Sequence, residues 1–210
     1  MADEAGERTV KLGCRWSGRF PTWAAALPGI RWWDSQPVYL ETWLEKDALS
    51  GIFEDALDRY GVTLNVGCGF EGWDSIHNAA SRLGDEDVIL YFGDFDPSGE
   101  DMVRSLRDQL DDRGSRPEIT KCALTFADIE RYELAADFTT ASDTQSAAFV
   151  AKWGDVSVEL DALPIEVLRG RIVSEIESRM DLDALERARA TEVEERHHLI
   201  RALEAVGGHR

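Results

Sequence analysis

The sequence predicts an α/β protein: a mostly parallel sheet of about four to five strands with helices on both faces, flanked by an N-terminal arm and C-terminal helices. Three observations predict it. Short apolar runs alternate along the chain with stretches whose apolar residues recur at helical spacing. One run, Val88-Ile-Leu-Tyr-Phe92, is apolar throughout, as a central strand buried on both faces should be. A strand followed by a helix, several times over, favours parallel pairing, because a helix is what returns the chain to the starting edge.

Residues 1–35 form the arm, and 1–31 are slightly basic and rich in Trp, Gly and Pro, with Lys11, Arg15, Trp16, Arg19, Trp23, Pro28 and Arg31. Arg among Trp suits stacking on a nucleic-acid strand; the plainer expectation is that the aromatics anchor an extended arm to the domain. A domain spanning 36–178 follows. Val38, Leu40, Thr42 and Leu44 alternate with Tyr39, Glu41 and Trp43 in a strand ending at Glu45. Ala48, Leu49, Ile52, Phe53, Ala56, Leu57 and Tyr60 make the stripe of an amphipathic helix closed by Gly61. Residues 62–66 are a second strand, broken by Gly67, Gly69 and Gly72, and Asp74 or Ser75 caps a helix that runs to about Leu83 and is ended by Gly84.

After the third strand, Gly93-Asp-Phe-Asp-Pro-Ser-Gly99 leads into a helix carrying Met102, Val103, Leu106 and Leu110. Residues 119–126 are a fourth strand, 127–155 hold a short helical piece and a Ser/Thr/Asp-rich loop over 139–144, and 156–160 are a further strand. Two helical segments follow Pro164, split near Asp181. The last, within 179–210, is dense in Glu and Arg and reads as a solvated or partner-facing helix.

With 210 residues, 43% of them hydrophobic, the chain can bury a proper core. Its formal charge of −18 excludes a protein that grips DNA through a broad basic surface, since such binding relies on Lys and Arg displacing counterions. Any nucleic-acid contact has to be local or metal-assisted. No run approaches the roughly 20 apolar residues of a membrane span, and the start, Met-Ala-Asp-Glu-Ala-Gly-Glu, lacks the plan of a secretion signal. The expected location is cytoplasmic, with no membrane partner. Cys14, Cys68 and Cys122 are odd in number and widely separated, so they read as reduced bystanders. His77, His197, His198 and His209 show no ligand spacing and read as structural or surface residues.

In a parallel sheet, ligands bind outside the carboxyl ends of the strands. The first strand ends there in Glu45, beside Lys46, and the third in Asp94 and Asp96, alternate residues able to point the same way. Three converging carboxylates repel: two unit charges about 4 Å apart cost about 4 kcal/mol at an effective dielectric near 20. A divalent cation removes the conflict, and oxygen donors without His or Cys suit Mg²⁺, with Mn²⁺ as a substitute. Pro97, Ser98 and Gly99 then open a helix whose free N–H groups could receive a phosphate. The same segment also reads as an ordinary capped strand-to-helix turn. Glu41 competes with Glu45 but lies too early in its strand to reach the carboxyl end.

The segment Leu90-Tyr-Phe-Gly-Asp-Phe-Asp-Pro-Ser-Gly-Glu-Asp101 resembles the DxDxxG motif of Toprim domains, in the GDxDPxG form of the topoisomerase VI A subunit and its meiotic break-forming relatives. Trp43-Leu-Glu-Lys-Asp-Ala-Leu49 resembles their first motif, and Gly69-Phe-Glu-Gly-Trp the Gly-rich turn between the two. Ser157-Val-Glu-Leu-Asp-Ala-Leu-Pro164 is similar to a late motif of uncharacterised bacterial and phage relatives. The likeness spans about residues 36–178. It implies a Toprim, Rossmann-like fold in which Asp94 and Asp96 hold Mg²⁺ and Glu45 is the general acid or base, or a ligand of a second metal. Lys46 would meet a phosphate. Glu159 and Asp161 are further candidates, Asp161 as a metal ligand, against the alternative of ordinary solvated acids.

Topoisomerase VI A subunits carry an attacking tyrosine upstream of Toprim, and no tyrosine precedes Tyr39 here. The expectation is therefore a Mg²⁺-dependent enzyme that nicks or cleaves DNA by hydrolysis. Two alternatives stay open. The chain could be the metal-binding subunit of a split topoisomerase-like or recombination complex, its tyrosine supplied by a protein partner, or a non-catalytic module that binds metal or phosphate. RNA as the substrate and a homodimer also remain open.

Overall fold

Every residue of the first three strands is buried, which is why polar alternation is weak in their sequences. In the computed structural model, which describes residues 32–67, 73–137 and 144–207, β1 (Leu40–Leu44), β2 (Thr63–Val66) and β3 (Val88–Phe92) pair in parallel. β4 (Glu118–Ala123) joins β3, also in parallel. The order across the sheet is β2-β1-β3-β4. The helices are α1 (Ser50–Leu57), α2 (Trp73–Ala80), α3 (Pro97–Asp111), α4 (Phe126–Tyr132), α5 (Thr144–Trp153), α6 (Ile165–Glu177) and α7 (Leu182–Gly207). This is an α/β, Rossmann-like arrangement.

Successive strand residues point to opposite faces, and the core divides accordingly. Leu40, Leu44, Leu64, Leu90 and Phe92 pack with Phe53 and Leu57 of α1 and with Leu168, Ile172 and Ile176 of α6. Trp43, Ile89, Tyr91 and Ile119 pack on the other face with Ile76 and Ala79 of α2 and with Met102, Leu106 and Leu110 of α3. The sides follow from topology. The step from β1 to β2 runs one way across the sheet and that from β2 to β3 the other, so crossovers of one hand set α1 and α2 on opposite faces.

The chain departs from the sequence-based reading in two places. Residues 156–160 are not a fifth strand of the sheet. Ser157 and Val158 form only isolated antiparallel bridges, with Asp137 and Phe95, and residues 160–162 turn as a short 3₁₀ segment. Val158 and Leu160 are buried, which produced the strand-like alternation, but this segment is a strap laid across the strand ends. Residues 144–153 are helical, where only a short helical piece was expected within 127–155.

The expected break near Asp181 is present, and the Asp181 carboxylate accepts from the Ala184 N–H at the start of α7. Of the arm, residues 1–31 lie outside the described residues. Trp33 is buried and donates to the Gly61 carbonyl at 2.8 Å, while Trp32 donates to Glu192 of α7 at 2.7 Å. No helix among the described residues is long and apolar enough to cross a membrane.

Candidate active site

The winding of the sheet reverses between β1 and β3, its two inner strands. At such a switch point the connections leave to opposite faces and open a crevice beyond the carboxyl ends. Glu45 leaves β1 and Asp94 leaves β3 there, at one level, because Leu44 pairs with Phe92. The Glu45 N–H extends the ladder to the Phe92 carbonyl at 3.0 Å.

Glu45 Oε2 accepts the Tyr91 hydroxyl at 3.0 Å and the Asp94 backbone N–H at 3.2 Å. Burial pushes the Glu45 carboxyl above its ordinary range and the charges of Asp94 and Asp96 push the same way, while the two hydrogen bonds oppose them. Asp94 is raised as well, first by burial and then by Asp96 and Glu159; the Leu160 N–H and Lys46 hold it back. That Leu160 bond, 2.7 Å to Asp94 Oδ1, ties the strap to the site. Gly93 is required by contact: a Cβ there would sit 2.3 Å from Glu45 Oε2 and 2.6 Å from the Tyr91 oxygen. At Gly99 a Cβ would meet the Asp94 carbonyl at 2.3 Å.

Phe95 turns inward and is 1% exposed, so its neighbours Asp94 and Asp96 are both turned the other way, half-buried. Asp96 is also the N-cap of α3, its Oδ1 accepting from the Gly99 N–H at 2.6 Å and from the Ser98 hydroxyl at 2.8 Å. The turn thus has ordinary capping chemistry. The helix start offers fewer free N–H groups than expected, because Pro97 has none and the protein's own aspartate takes that of Gly99.

Lys46 does not project freely toward a phosphate. Its ammonium lies 2.6 Å from both Glu159 and Asp161, which raises its pKa and lowers that of Asp161. Glu159, Asp161 and Lys46 therefore form an ion cluster that fastens the strap, next to the Leu160 contact with Asp94. Glu41 is fully buried and faces the opposite half of the sheet's length. It accepts from Arg82 through both carboxylate oxygens, from Asn65 at 2.9 Å and from Trp43 at 3.2 Å. A carboxylate so satisfied is structural. Cys122 is buried and its thiol is pushed up to about 12 by that burial, so it is inert. Cys14, Cys68 and His209 lie outside the described residues; His77, His197 and His198 are exposed.

Three members of the site went unnoticed in the sequence: Tyr91, Lys121 and the backbone of Leu160. Lys121 donates to the Asp94 carbonyl at 2.9 Å and to Glu100 at 2.7 Å. Tyr91 is paired with Trp43 and so shares a face with Glu45 two residues on. Only the register reveals that.

Among the described residues, no group of three or more His, Cys, Asp or Glu side chains is gathered into a ligand set for a metal ion. Glu45 and Asp94 adjoin, while Asp96 turns one oxygen to its helix. The donor chemistry nevertheless fits a hard cation: oxygens alone, with two carboxylates whose negative charge is disfavoured by burial and by proximity. No protein-family model matches the chain, and no curated protein is significantly similar to it.

Proposed function

We propose that the chain hydrolyses phosphodiester bonds of DNA with Mg²⁺, or Mn²⁺ in its place, nicking or cutting the backbone at the crevice between β1 and β3, as its likeness to Toprim domains implies. The observation that carries this reading is the pairing of Glu45 with Asp94 at the switch point. The Glu45 carboxylate is held on the backbone N–H of Asp94, and burial and neighbouring like charge favour the neutral form of both acids. Asp94 and Asp96 are the residues to hold the cation, with Glu45 beside them. A divalent ion in that place supplies compensation for the charge that grows on the phosphate oxygens.

The chain's own groups do the rest. Burial disfavours the charged form of Glu45; as water attacks phosphorus, Glu45 would pass a proton to the leaving oxygen and be reprotonated by the proton the water sheds. Tyr91 fixes the orientation of that carboxyl. Tyr91 is itself 1% exposed and committed to Glu45, so it is not placed to attack DNA. Lys121 and Leu160 hold the carbonyl and the carboxylate of Asp94.

A supercoiled plasmid tests the proposal. Wild type with Mg²⁺ should produce nicked circles, EDTA should stop the reaction, Asp94→Ala should abolish it, and Glu45→Gln should slow it by about 100-fold, the scale of a lost proton donor. No protein should remain covalently attached to DNA. Equal nicking by wild type and Asp94→Ala would sink the reading; an RNA substrate in the same assay decides between the two nucleic acids.

A second reading, a metal-binding subunit that needs a partner, is favoured by one observation. Val193, Leu199 and Ile200 of α7 are 54%, 45% and 46% exposed, and Val193 and Ile200, seven residues apart, share one helical face that a partner could cover. Its mark would be a purified chain that is inert alone and gains cleavage with a partner protein.

A further inference from the structure

Beside Asp94, at the carboxyl edge of β3 and β4, lies a cavity of about 400 Å³ lined by Phe95, Phe126 and Trp153 together with Lys121, Glu100 and Glu130. We propose that it receives one unstacked base of a single-stranded nucleic acid whose backbone runs past Asp94. The inference rests on the reading of the site as acting on nucleic acid, and it names what that site reads.

Three properties of the cavity select this guest. First, its apolar wall is aromatic: the rings of Phe126 and Trp153 lie 5.0 Å apart at 30°, and Phe95 lies 5.7 Å from Trp153 and 6.0 Å from Phe126. Phe95 is fully buried as the floor, while Phe126 and Trp153 are partly exposed at the mouth. Flat faces at an open mouth suit a flat guest, and any base has such a face.

Second, the polar groups are of both kinds. Lys121, with two of its N–H groups given to the Asp94 carbonyl and to Glu100, has a third to donate, and the second oxygen of Glu100 and the Glu130 carboxylate can accept, which matches the carbonyls and amino groups on a base edge. The Lys121 ammonium disfavours a cationic guest, which an aromatic cage would otherwise invite. Third, the cavity is joined to the carboxylate site by covalent and hydrogen bonds: Phe95 stands between Asp94 and Asp96, and Lys121 bonds the Asp94 carbonyl. Lys152, 4.5 Å from the Trp153 ring centroid, places a further cation at this edge for a phosphate. Stacking is short-range, so it gives affinity to a chain of charge −18 that a basic surface cannot provide.

The test uses the full chain in EDTA, so that cleavage does not enter. Its probes are short single-stranded oligonucleotides carrying one 2-aminopurine, the same oligonucleotides with abasic positions, and duplex controls. Wild type should bind the single strand with a saturable change in 2-aminopurine emission, and should bind abasic strands and duplex at least about tenfold more weakly, the scale of one lost base stack. Trp153→Leu should lose the emission change and bind base-bearing strands like abasic ones, with its circular dichroism unchanged. Because the abasic comparison uses the wild-type chain, a misfolded variant cannot rescue or sink the idea. Equal affinity for base-bearing and abasic strands, or no binding at all, overturns it. Base-dependent binding by a chain that never nicks a plasmid leaves the pocket standing and removes only the hydrolytic reading.

Discussion

A carboxylate that loses water and gains a like-charged neighbour prefers its proton, and at Glu45 both conditions meet. The sign of the consequence is fixed by linkage. Its folded pKa lies above the ordinary 4.5, so the stability it contributes is fully present below about pH 4.5 and is lost as pH rises through the folded value. Asp94, raised from 3.8, behaves alike. At pH 7 without metal the site is therefore a destabilising element. Glu45→Gln, whose amide oxygen can still accept from Tyr91 and Asp94, should unfold at higher temperature than wild type in EDTA at pH 7, by about 2–4 °C for each kcal/mol relieved. The gap should close toward pH 4, and Mg²⁺ should narrow it by stabilising the wild type. A Gln variant less stable than wild type at pH 7 would show that the charge is already compensated within the protein.

At the scale of elements, α3 shows how one residue can serve both fold and site. Asp96 caps the helix through Oδ1, and losing such a cap costs about 1 kcal/mol. Asp96→Ala should accordingly lower the melting temperature by about 2–4 °C. Asp96→Asn keeps an oxygen for the Gly99 N–H and should melt close to wild type, yet it removes the negative charge and should lose plasmid nicking. If Asn nicks as well as Asp, the residue is a cap and nothing more.

The sequence disclosed this turn because Asp, Pro, Ser and Gly have strong local preferences there. The strand run of residues 88–92 was as plain, since burial on both faces leaves no polar break. The strap was misread for the converse reason. Val158 and Leu160 alternate like a strand, but their backbone partners are Phe95 and the Asp94 carboxylate, 63 and 66 residues away in sequence and unmarked by any local signal. Helix α5 was hidden behind the Ser/Thr/Asp-rich run that leads into it, since Ser, Thr and Asp favour caps and turns as readily as a helix.

For the molecule as a whole, the strand order decides where the candidate site lies, and order is the property local pattern carries least. Alternating strands and helices announced a parallel sheet; that β1 and β3 are neighbours, with the reversal of winding between them, became visible only in three dimensions. Glu45 and Asp94 were picked out as strand-end acids, but their meeting depends on that adjacency. Net charge is the other whole-molecule property, and it constrains how such a site can engage a polyanion. A strand that neutralises Z phosphates on binding gives a slope of log affinity against log salt of about −0.7Z. Two cations at the base cavity, Lys152 and the Glu100-paired Lys121, would give at most about −1.4, and screening of the repulsion from a chain of charge −18 flattens the slope further. Single-stranded oligonucleotide binding in EDTA, measured between low and physiological salt, should therefore show a slope no steeper than about −2. A slope of about −2.8 or steeper would mean that four or more phosphates are being neutralised at once. Within this sequence only the arm, with Lys11, Arg15, Arg19 and Arg31, concentrates enough positive charge to do that, and binding would then belong to the arm and not to the cavity beside Asp94.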